Sequence, residues 1–424
     1  MARVLIFDTS SRLGAVGGAQ RVAANLFYEL RKRGISTFYL GYMTDYFKAD
    51  KNAMFLKESK QKALKQAGER HKLLQRMIEN RLVRAAYYIS YSLRGIKTSE
   101  IEDFVSKINP EIVLANSILD YIILKRVKSK MPTAKIIYID HANASGEYRS
   151  AFDYNIMQLT FGTGRPLGLE KARKRLFGFF DGVIALNMDQ YEVVKRYNSN
   201  VTIIHSSSLL ESNKRPKNLE SFKKKLNLNG KKIVLYLGRL AEAQKNVSTL
   251  IKAFMGMDDK ELRMLIVGDG KSRLLYEQMS AGDERISIVG RVREEILPYY
   301  YSIADLYVLP SIWESFNSTF IEAATFGTPL LLSENAINRD IKTRFGKRLF
   351  LFNPTNIEEL REKMRIAIYN NAERKKLILL SRDLAREYSK KAQMDAYFYA
   401  IKCILTSGKL TSKICVKNNE EYKV

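Results

Sequence analysis

Residues 304–323 read ADLYVLPSIWESFNSTFIEA. The apolar run and the proline that ends it are typical of a buried strand followed by a turn. Glu314 follows on the predicted loop, and Glu322 falls on the helix that is predicted next. A strand end that carries carboxylates and leads into a helix is typical of a binding site for a polyhydroxylated ligand.

This loop and helix offer two kinds of hydrogen-bonding group. Glu314 and Glu322 can each accept hydrogen bonds from hydroxyl groups. We predict that the amides of Asn317, Ser318 and Thr319 lie at the helix N-terminus, where they can hold phosphate oxygens. The alternative is a capping box from Thr319 to Glu322, in which Glu322 serves only the helix terminus.

Two cations follow the predicted strand that ends at Gly238. Arg239 and Lys245 lie in the loop after it. A diphosphate leaving group needs cations at such a place, because negative charge grows on it as its bond to a sugar breaks. The alternative is a surface loop with ordinary solvated charges.

The N-terminal half has two further candidate binding groups. Gly17 and Gly18 follow the first predicted strand and would let backbone amides approach a phosphate or sugar, although a plain tight turn is the alternative. They do not form a dinucleotide fingerprint, because GAVGG lacks the G-x-G-x-x-G spacing. His141 follows Asp140 at a predicted strand end, where it can face a cleft and bond a sugar hydroxyl or serve as a structural histidine.

Seven short stretches, in their order, resemble the retaining glycosyltransferases of family 4. Members of that family have the two-domain GT-B fold and a Glu-x7-Glu signature, which Glu314 and Glu322 match. The resemblance covers most of the chain. The stretches are Gly17–Val22, Asp140–His141, Gly238–Leu240, Lys245–Val247, Val267–Gly270, Gly290–Val292 and Glu314–Pro329.

The resemblance implies a role for each matching residue. Arg239 and Lys245 would hold the donor diphosphate. Glu314 would bind the transferred sugar and Glu322 the nucleotide ribose. The other implied contacts are that of His141 with the transferred sugar, those of Gly17 and Gly18 with the sugar or the donor phosphates, and those of Gly290 and Arg291 with the base through their backbone.

The implied chemistry retains the anomeric configuration by front-face attack, in which the acceptor hydroxyl loses its proton to the departing diphosphate. No protein nucleophile is expected, and Glu314 orients the sugar and stabilises charge. We expect no cofactor and no metal ion, because the sequence has no His/Cys ligand cluster. One departure bears on sugar identity. The family commonly has Phe-Gly-Leu where this chain has Phe316-Asn317-Ser318, and asparagine tolerates left-handed backbone geometry.

The 424 residues suit two domains, and 46% apolar residues are ample for two cores. Apolar strands alternate with helical stretches in both halves. This predicts an α/β fold of two Rossmann-like, doubly wound domains that face each other across a cleft. The predicted divisions are an N-terminal acceptor domain over 1–207, a linker over 208–230, a nucleotide-sugar donor domain over 231–390, a C-terminal helix over 391–411 that crosses back to the first domain, and a polar tail over 412–424.

The net charge is +26, and a basic insert over residues 51–97 has a high density of positive charge. Twelve basic and three acidic residues give this insert a net charge of +9. Apolar residues recur there at helical spacing, and Arg76, Arg81 and Arg84 are the candidate contacts to an anionic membrane surface. The alternative is an ordinary surface helix with solvated charges. Nucleic acid is not expected as a partner, because no recognised nucleic-acid module accompanies the charge.

We therefore expect a metal-independent hexosyltransferase. It would move a sugar from a nucleotide-diphosphate donor, with UDP favoured, to a lipid-linked or cell-envelope polysaccharide acceptor. The cysteines are Cys403 and Cys415 alone, and no signal peptide is expected. The predicted location is therefore cytoplasmic, peripheral on the inner face of the cell membrane. The alternatives are a soluble enzyme of the same fold, such as a glucan synthase or nucleotide-sugar epimerase, and a non-catalytic polyanion-binding scaffold.

Overall fold

The described part of the chain forms two compact units. The first consists of the residues up to Ile204 together with the chain from Met394 onward, and the second is His205–Gln393. The computed structural model describes residues 2–9, 18–43, 47, 50–56, 98–117, 120–141, 169–208, 210, 214–346 and 349–410. Gly17, Arg76, Arg81, Arg84, most of the basic insert and the tail over 412–424 lie outside these residues.

The first unit is built on a parallel sheet of seven strands in the order β3-β2-β1-β4-β5-β6-β7. The interior strands β4 and β6 are buried along their whole length. Parallel strands covered on both faces are continuous apolar runs, which is the pattern that these segments show in the sequence. The strands are β1 (Arg3–Asp8), β2 (Ser36–Gly41), β3 (Ala53–Phe55), β4 (Ile112–Ala115), β5 (Lys135–Ile139), β6 (Gly182–Ala185) and β7 (Val201–Ile203).

Helices connect these strands and cover the sheet. In the first of them, Val22, Leu26 and Leu30 recur every four residues and are buried, so this helix presents one apolar stripe to the core. The described helices up to Ile204 are α1 (Gly18–Lys32), α2 (Thr98–Ile108), α3 (Asp120–Val127), α4 (Leu169–Phe177) and α5 (Met188–Lys195), with a short 3-10 helix over Lys128–Lys130.

The second unit repeats this architecture with a six-stranded parallel sheet in the order β10-β9-β8-β11-β12-β13. Its strands are β8 (Lys232–Leu237), β9 (Leu262–Val267), β10 (Ile286–Gly290), β11 (Leu306–Leu309), β12 (Leu330–Ser333) and β13 (Leu351–Phe352). Its helices are α6 (Leu219–Lys225), α7 (Glu242–Lys245), α8 (Val247–Met255), α9 (Arg273–Met279), α10 (Leu297–Ile303), α11 (Ser318–Thr325), α12 (Ala336–Phe345), α13 (Ile357–Tyr369) and α14 (Asn371–Glu387), with a 3-10 helix over Glu294–Ile296.

The last described helix, α15 (Lys390–Ser407), is divided between the units. Gln393 donates from Nε2 to the carbonyl oxygen of His205 at 3.1 Å, within the second unit. From Met394 onward the helix belongs to the first unit, where Tyr397, Ile401 and Ile404 are buried. None of the helices in the described ranges is both long and apolar enough to cross a membrane.

The predicted α/β class, with two doubly wound Rossmann-like domains of the GT-B type, is confirmed. Two elements fall in segments for which the sequence predicted something else. β3 lies within the predicted insert over 51–97, and its three residues are too few to show a period. α6 lies within the predicted linker over 208–230, yet Leu219 and Phe222 pack against the core of the second unit.

Candidate active site

The strand order of the second sheet brings two loops side by side. β8 pairs with β9 on one side and with β11 on the other, always in parallel. The chain therefore changes its direction of travel across the sheet between β8 and β11. Ligands of open α/β sheets bind outside the carboxyl ends of the strands at such a switch point. Arg239 and Lys245 follow β8, and Glu314 follows β11.

An ion pair joins the two loops. Nζ of Lys245, the last residue of α7, lies 2.6 Å from Oε1 of Glu314. The two residues are only 8% and 5% exposed, so their attraction is screened less than that of a surface pair. An ammonium group has three donor protons, so pairing with Glu314 does not exhaust the capacity of Lys245 for an anionic ligand.

Two side-chain amides also bind Glu314. Nδ2 of Asn317 donates to Oε1 at 3.0 Å, and Nε2 of Gln244 donates to Oε2 at 3.3 Å. Both carboxylate oxygens are thus held by the protein. A carboxylate fixed in this way is preorganised for a ligand and needs no reorientation when one binds.

Arg239 lies beside this group but is exposed to solvent. Its Nη2 donates to Oε1 of Gln244 at 2.8 Å. That acceptor is a neutral amide, and no carboxylate among the described residues forms an ion pair with Arg239, so within this part of the chain the charge of the guanidinium group is uncompensated. Arg239 therefore presents a cation at the carboxyl end of β8, next to the buried pair.

Asn317 caps helix α11 with its side chain. Its Oδ1 accepts hydrogen bonds from the amide of Thr319 at 2.9 Å and from Oγ1 of Thr319 at 2.6 Å. The helix begins at Ser318, so the alternative capping box from Thr319 to Glu322 is not formed. The Thr319 amide is engaged inside the protein and does not face a phosphate in this conformation. Asn317 has an extended backbone with φ of −97°, so its contribution is the side chain and not left-handed geometry.

Glu322 lies within α11 and is 1% exposed. Its Oε2 accepts a hydrogen bond from the hydroxyl of Tyr301 at 2.8 Å. The buried phenol of Tyr307 lies near both carboxylates, and its hydroxyl bonds the carbonyl of Leu237 at 3.2 Å and Oγ1 of Thr319 at 2.6 Å. Burial raises the pKa of Tyr307, a hydrogen bond with Thr319 opposes this, and the charges of Glu322 and Glu314 add to the rise. Tyr307 therefore lies within electrostatic reach of both carboxylates.

Glycines let three strand ends of this sheet converge. A Cβ atom on Gly268 would lie 1.9 Å from the carbonyl oxygen of Gly238, and Gly268 has a positive φ of 140°. The Gly268 amide donates to the carbonyl of Gly290 at 2.9 Å, and Gly290 has a positive φ of 83°. The exposed Arg291 follows directly. Close backbone approach at this edge thus requires glycine.

The sequence analysis assigned no role to two residues at this edge, Gln244 and Asn246. Gln244 binds both Arg239 and Glu314. Asn246 has a left-handed backbone with φ of 51°, and its Nδ2 donates to the carbonyls of Pro310 at 3.3 Å and Pro354 at 2.7 Å. The signal for Asn246 was its residue type, because asparagine tolerates this backbone region between two helices. No local pattern indicated Gln244.

The first unit brings Gly18 and His141 to the carboxyl edge of its own sheet. Gly18 is the first residue of α1. Nδ2 of Asn116 donates to the carbonyl of Ala19 at 2.9 Å, and Oδ1 of Asn116 lies 2.7 Å from Nε2 of His141. Since the first bond fixes the amide orientation, Nε2 of His141 must carry the proton. Burial lowers the pKa of His141 to about 4, so its ring is neutral at pH 7.

A buried carboxyl closes this edge between β1 and β4. Asp120, at the start of α3, accepts hydrogen bonds from the amide of Thr9 at 2.9 Å and from its Oγ1 at 2.6 Å. It also accepts from the amides of Asn116 at 3.0 Å and Ser117 at 2.8 Å. Burial raises the pKa of Asp120 well above its usual range, and the nearby carboxylate of Asp8 adds to this rise.

Asp140 precedes His141, and its Oδ1 accepts a hydrogen bond from the hydroxyl of Tyr138 at 3.2 Å.

Across the described ranges, no three His, Cys, Asp or Glu side chains are grouped so that they could hold a metal ion. The structure therefore collects the candidate residues into two sets. Arg239, Lys245, Glu314 and Asn317 lie together in the second unit, while Gly18 and His141 lie in the first.

Comparison with known proteins places the second unit in a family. Residues 218–382 match the sequence model of the family described as "Glycosyl transferases group 1". A 2-deoxystreptamine N-acetyl-D-glucosaminyltransferase of Niallia circulans is 32% identical over 163 residues, which are 37% of this chain and 41% of that protein. A phosphatidyl-myo-inositol mannosyltransferase of Mycobacterium leprae is 28% identical over 181 residues, 42% of this chain and 48% of that protein. The match thus spans less than half the length of these relatives.

Solved structures resemble the chain over nearly its whole length. The crystal structure of Anabaena HepE in complex with UDP and glucose has a TM-score of 0.69 at 14% identity, covering 95% of this chain and 100% of HepE. At that identity the likeness shows the fold alone. The family resemblance seen in the sequence is confirmed, and the chain carries a glycosyl transferases group 1 domain over residues 218–382.

Proposed function

We propose that this protein is a retaining glycosyltransferase that moves a hexosyl group from a UDP-sugar to a lipid-linked or cell-envelope polysaccharide acceptor. The observation that carries the proposal is the buried pair of Lys245 and Glu314 beside the uncompensated cation of Arg239 at the switch point of the second sheet. A nucleotide sugar has the matching groups, because its diphosphate needs cations and its hydroxyls need acceptors.

In the proposed reaction, Arg239 and Lys245 stabilise the negative charge that develops on the departing diphosphate. Glu314, whose two oxygens are held by Lys245, Asn317 and Gln244, accepts hydrogen bonds from the transferred sugar and orients it. Glu322 is proposed for the ribose, and Gly290 and Arg291 for the base. His141 is a proposed contact of the transferred sugar, and Gly17 and Gly18 are proposed contacts of the sugar or the donor phosphates. The acceptor hydroxyl gives its proton to the departing diphosphate, and no protein nucleophile takes part.

Three comparisons support the choice of donor and acceptor. The Niallia circulans relative is named for the transfer of N-acetylglucosamine, and the Mycobacterium leprae relative for mannosyl transfer to a phosphatidyl-inositol. The Anabaena HepE crystals contain UDP and glucose. The HepE complex favours a UDP-linked donor, and the name of the Mycobacterium leprae relative favours a lipid-linked acceptor.

The test is a donor panel of UDP-, GDP-, ADP- and dTDP-sugars, read by thermal shift and by release of the nucleotide diphosphate. We expect one nucleotide to raise the melting temperature and its sugar to be released slowly. Exposed residues of the same unit, Lys252 and Glu284, provide control alanine variants that should behave as wild type. If no nucleotide shifts the melting temperature, the donor site is not functional and a non-catalytic scaffold becomes the better explanation.

We also propose that the basic insert over 51–97 binds an anionic membrane surface through Arg76, Arg81 and Arg84, at the inner face of the cell membrane. Each basic residue near such a surface contributes about 1 kcal/mol. Replacing the three arginines with glutamate should abolish sedimentation with phosphatidylglycerol-containing vesicles. The matched control places the same charge change on the exposed Lys125, Arg126 and Lys174. Equal loss in both triple variants would mean diffuse attraction and would contradict the assignment to the insert.

A further inference from the structure

Gln244 occupies the position between the two charged groups of the proposed donor site. Its Oε1 accepts a hydrogen bond from Nη2 of Arg239 at 2.8 Å. Its Nε2 donates to Oε2 of Glu314 at 3.3 Å and to the carbonyl of Trp313 at 3.4 Å. One side chain therefore touches both the cation and the anion.

The backbone of Gln244 is fixed to the same loop. The amide of Ile312 donates to the carbonyl of Gln244 at 2.8 Å, which ties α7 to the segment that leads into Glu314. Side chain and backbone thus bind the loop after β11 at three successive residues, Ile312, Trp313 and Glu314. A side chain anchored in this way has little freedom to leave its partners.

The chemistry of an amide suits this position. A primary amide has an acceptor oxygen and a donor nitrogen on one planar group, so it can bind a cation at one end and an anion at the other. A charged partner at each end also strengthens the bond at the opposite end. Glutamate would retain the acceptor for Arg239 but would place a second carboxylate against Glu314, while methionine would lose both bonds.

The hydrogen-bond donors around Glu314 bind different carboxylate oxygens, and this gives Gln244 a distinct effect. Lys245 and Asn317 both bind Oε1, whereas Gln244 donates to Oε2. Bonds to one oxygen alone define the plane of a carboxylate less well than bonds to both oxygens. The Gln244 bond therefore sets the plane of the Glu314 carboxylate, and it does so from a side chain that Arg239 holds at its other end.

We infer that Gln244 is a positioning residue that couples the binding of the donor diphosphate at Arg239 to the orientation of Glu314 toward the transferred sugar. This inference rests on the proposed function. When a diphosphate engages the guanidinium group, the change at Arg239 is passed through the amide to Oε2 of Glu314. Sugar and diphosphate are then recognised together and not as independent parts.

The test is a double-variant cycle in binding, measured by isothermal titration calorimetry. Arg239→Ala, Glu314→Gln and their combination are made in the wild type and in Gln244→Met. Each protein is titrated with UDP-glucose, UDP-N-acetylglucosamine and GDP-mannose, and with UDP and GDP alone. In the wild-type background we expect the effects of the two variants on sugar-nucleotide affinity to be non-additive by at least about threefold. In the Gln244→Met background the effects of the two variants should be additive, so the non-additivity factor should fall to one.

Two further readouts separate coupling from simple structural support. Gln244→Met should weaken the binding of a sugar nucleotide by a larger factor than that of its bare diphosphate, while Gln278→Met, at an exposed glutamine of the same unit, should change neither. Gln244→Glu keeps the contact with Arg239 and should lose the coupling as Gln244→Met does.

The outcomes distinguish the two proposals. If sugar nucleotides bind and the non-additivity persists in Gln244→Met, or is absent in the wild type, the coupling role is wrong and the proposed function stands. If the wild type binds none of the five nucleotides, the proposed function fails and the role of Gln244 fails with it.

Discussion

The two sheets change direction at equivalent places, yet the side chains at these two edges differ in charge. Between β1 and β4 the edge is closed by carboxyl groups, with Asp8 and Asp120 fully buried. Between β8 and β11 the edge carries Arg239 and Lys245, with Glu314 neutralising only the second. One topology thus yields an edge suited to anions in one unit and an edge rich in acids in the other, so the side chains and not the topology select the ligand.

The backbones of the two edges are nevertheless built alike. A Cβ atom on Gly41, at the end of β2, would lie 2.3 Å from the carbonyl oxygen of Asp8 at the end of β1. A Cβ atom on Gly268, just beyond β9, would lie 1.9 Å from the carbonyl of Gly238. A glycine thus lets β2 approach β1 in the first unit and β9 approach β8 in the second. The two edges therefore differ in their charged side chains and not in their backbones.

The largest effect is expected from breaking the ion pair of the second edge. Lys245→Ala or Glu314→Ala leaves the partner charge buried and uncompensated, which should lower the free energy of unfolding by about 3–5 kcal/mol. Either change should also lower turnover at least about 100-fold, because an electrostatic group of the transition state is lost. Urea unfolding and donor turnover measure the two effects separately.

The double variant Lys245→Met/Glu314→Gln distinguishes catalysis from folding. It removes both charges together, so its loss of stability should be smaller than the sum of the single losses. Turnover should remain as low as in the single variants. Recovery of activity along with stability would mean that the pair only supports the fold, and would remove the electrostatic role from this edge.

An intermediate effect is expected at the acidic edge. Asp120→Ala removes the acceptor of the amide and hydroxyl of Thr9 and one acceptor of the Ser117 amide, which should cost about 3 kcal/mol, while the Asn116 amide keeps its bond to the carbonyl of Phe7. Asp120→Asn keeps one acceptor oxygen and should cost less. Because the pKa of Asp120 is raised in the folded protein, its contribution to stability is present below the unfolded pKa and is lost as pH rises through the folded pKa.

The pH dependence of unfolding tests whether Asp120 is stabilised in its protonated form. Asparagine does not titrate, so the stability difference between the wild type and Asp120→Asn should shrink as the pH is raised. Urea unfolding between pH 4 and pH 9 tests this. A difference that grows with pH would show that the carboxyl is stabilised in its charged form, and the acidic edge would then carry a full negative charge.

The sequence predicted the strands and the charged residues but not the amides that connect them. Strands such as β8 and β11 were visible because parallel strands buried on both faces are continuous apolar runs. Lys245 and Glu314 were visible because charged residues in the segments that follow such runs lie at the carboxyl edge of the sheet, where ligands bind. Gln244 lies 70 residues from Glu314, so its role depends on a contact that no local pattern encodes.

Asn116 is the corresponding case in the first unit. Its partners Ala19 and His141 lie 97 and 25 residues away, so no local sequence pattern encodes either contact. β4 ends at Ala115, and the amide of the next residue, Asn116, donates both to the carbonyl of Phe7 at 2.9 Å and to Oδ2 of Asp120 at 3.0 Å. The side chain of a polar residue at a strand end, such as Asn116, can thus bind distant residues that the apolar pattern of the strand does not indicate.

The smallest effect, and the finest test of the comparison, concerns His141. Burial lowers its pKa to about 4, so it stabilises the fold above its unfolded pKa of about 6.5 and this contribution is lost as pH falls from there toward 4. Asn116→Asp would place a carboxylate against Nε2 and should raise the pKa by about 1–3 units, whereas Asn116→Ala should not raise it through charge.

Long-range proton–nitrogen NMR of the imidazole rings measures this directly, because the chain has only three histidines and His141→Gln identifies the signal. In the wild type the spectrum should show the neutral ring with its proton on Nε2 down to about pH 5. A pKa that stays near 4 in Asn116→Asp would mean that the amide does not contact the ring. A raised pKa would show that the side chain at position 116 contacts the ring, so that a neutral amide lies against His141 at the acidic edge, whereas at the basic edge the amide of Gln244 lies between two charges.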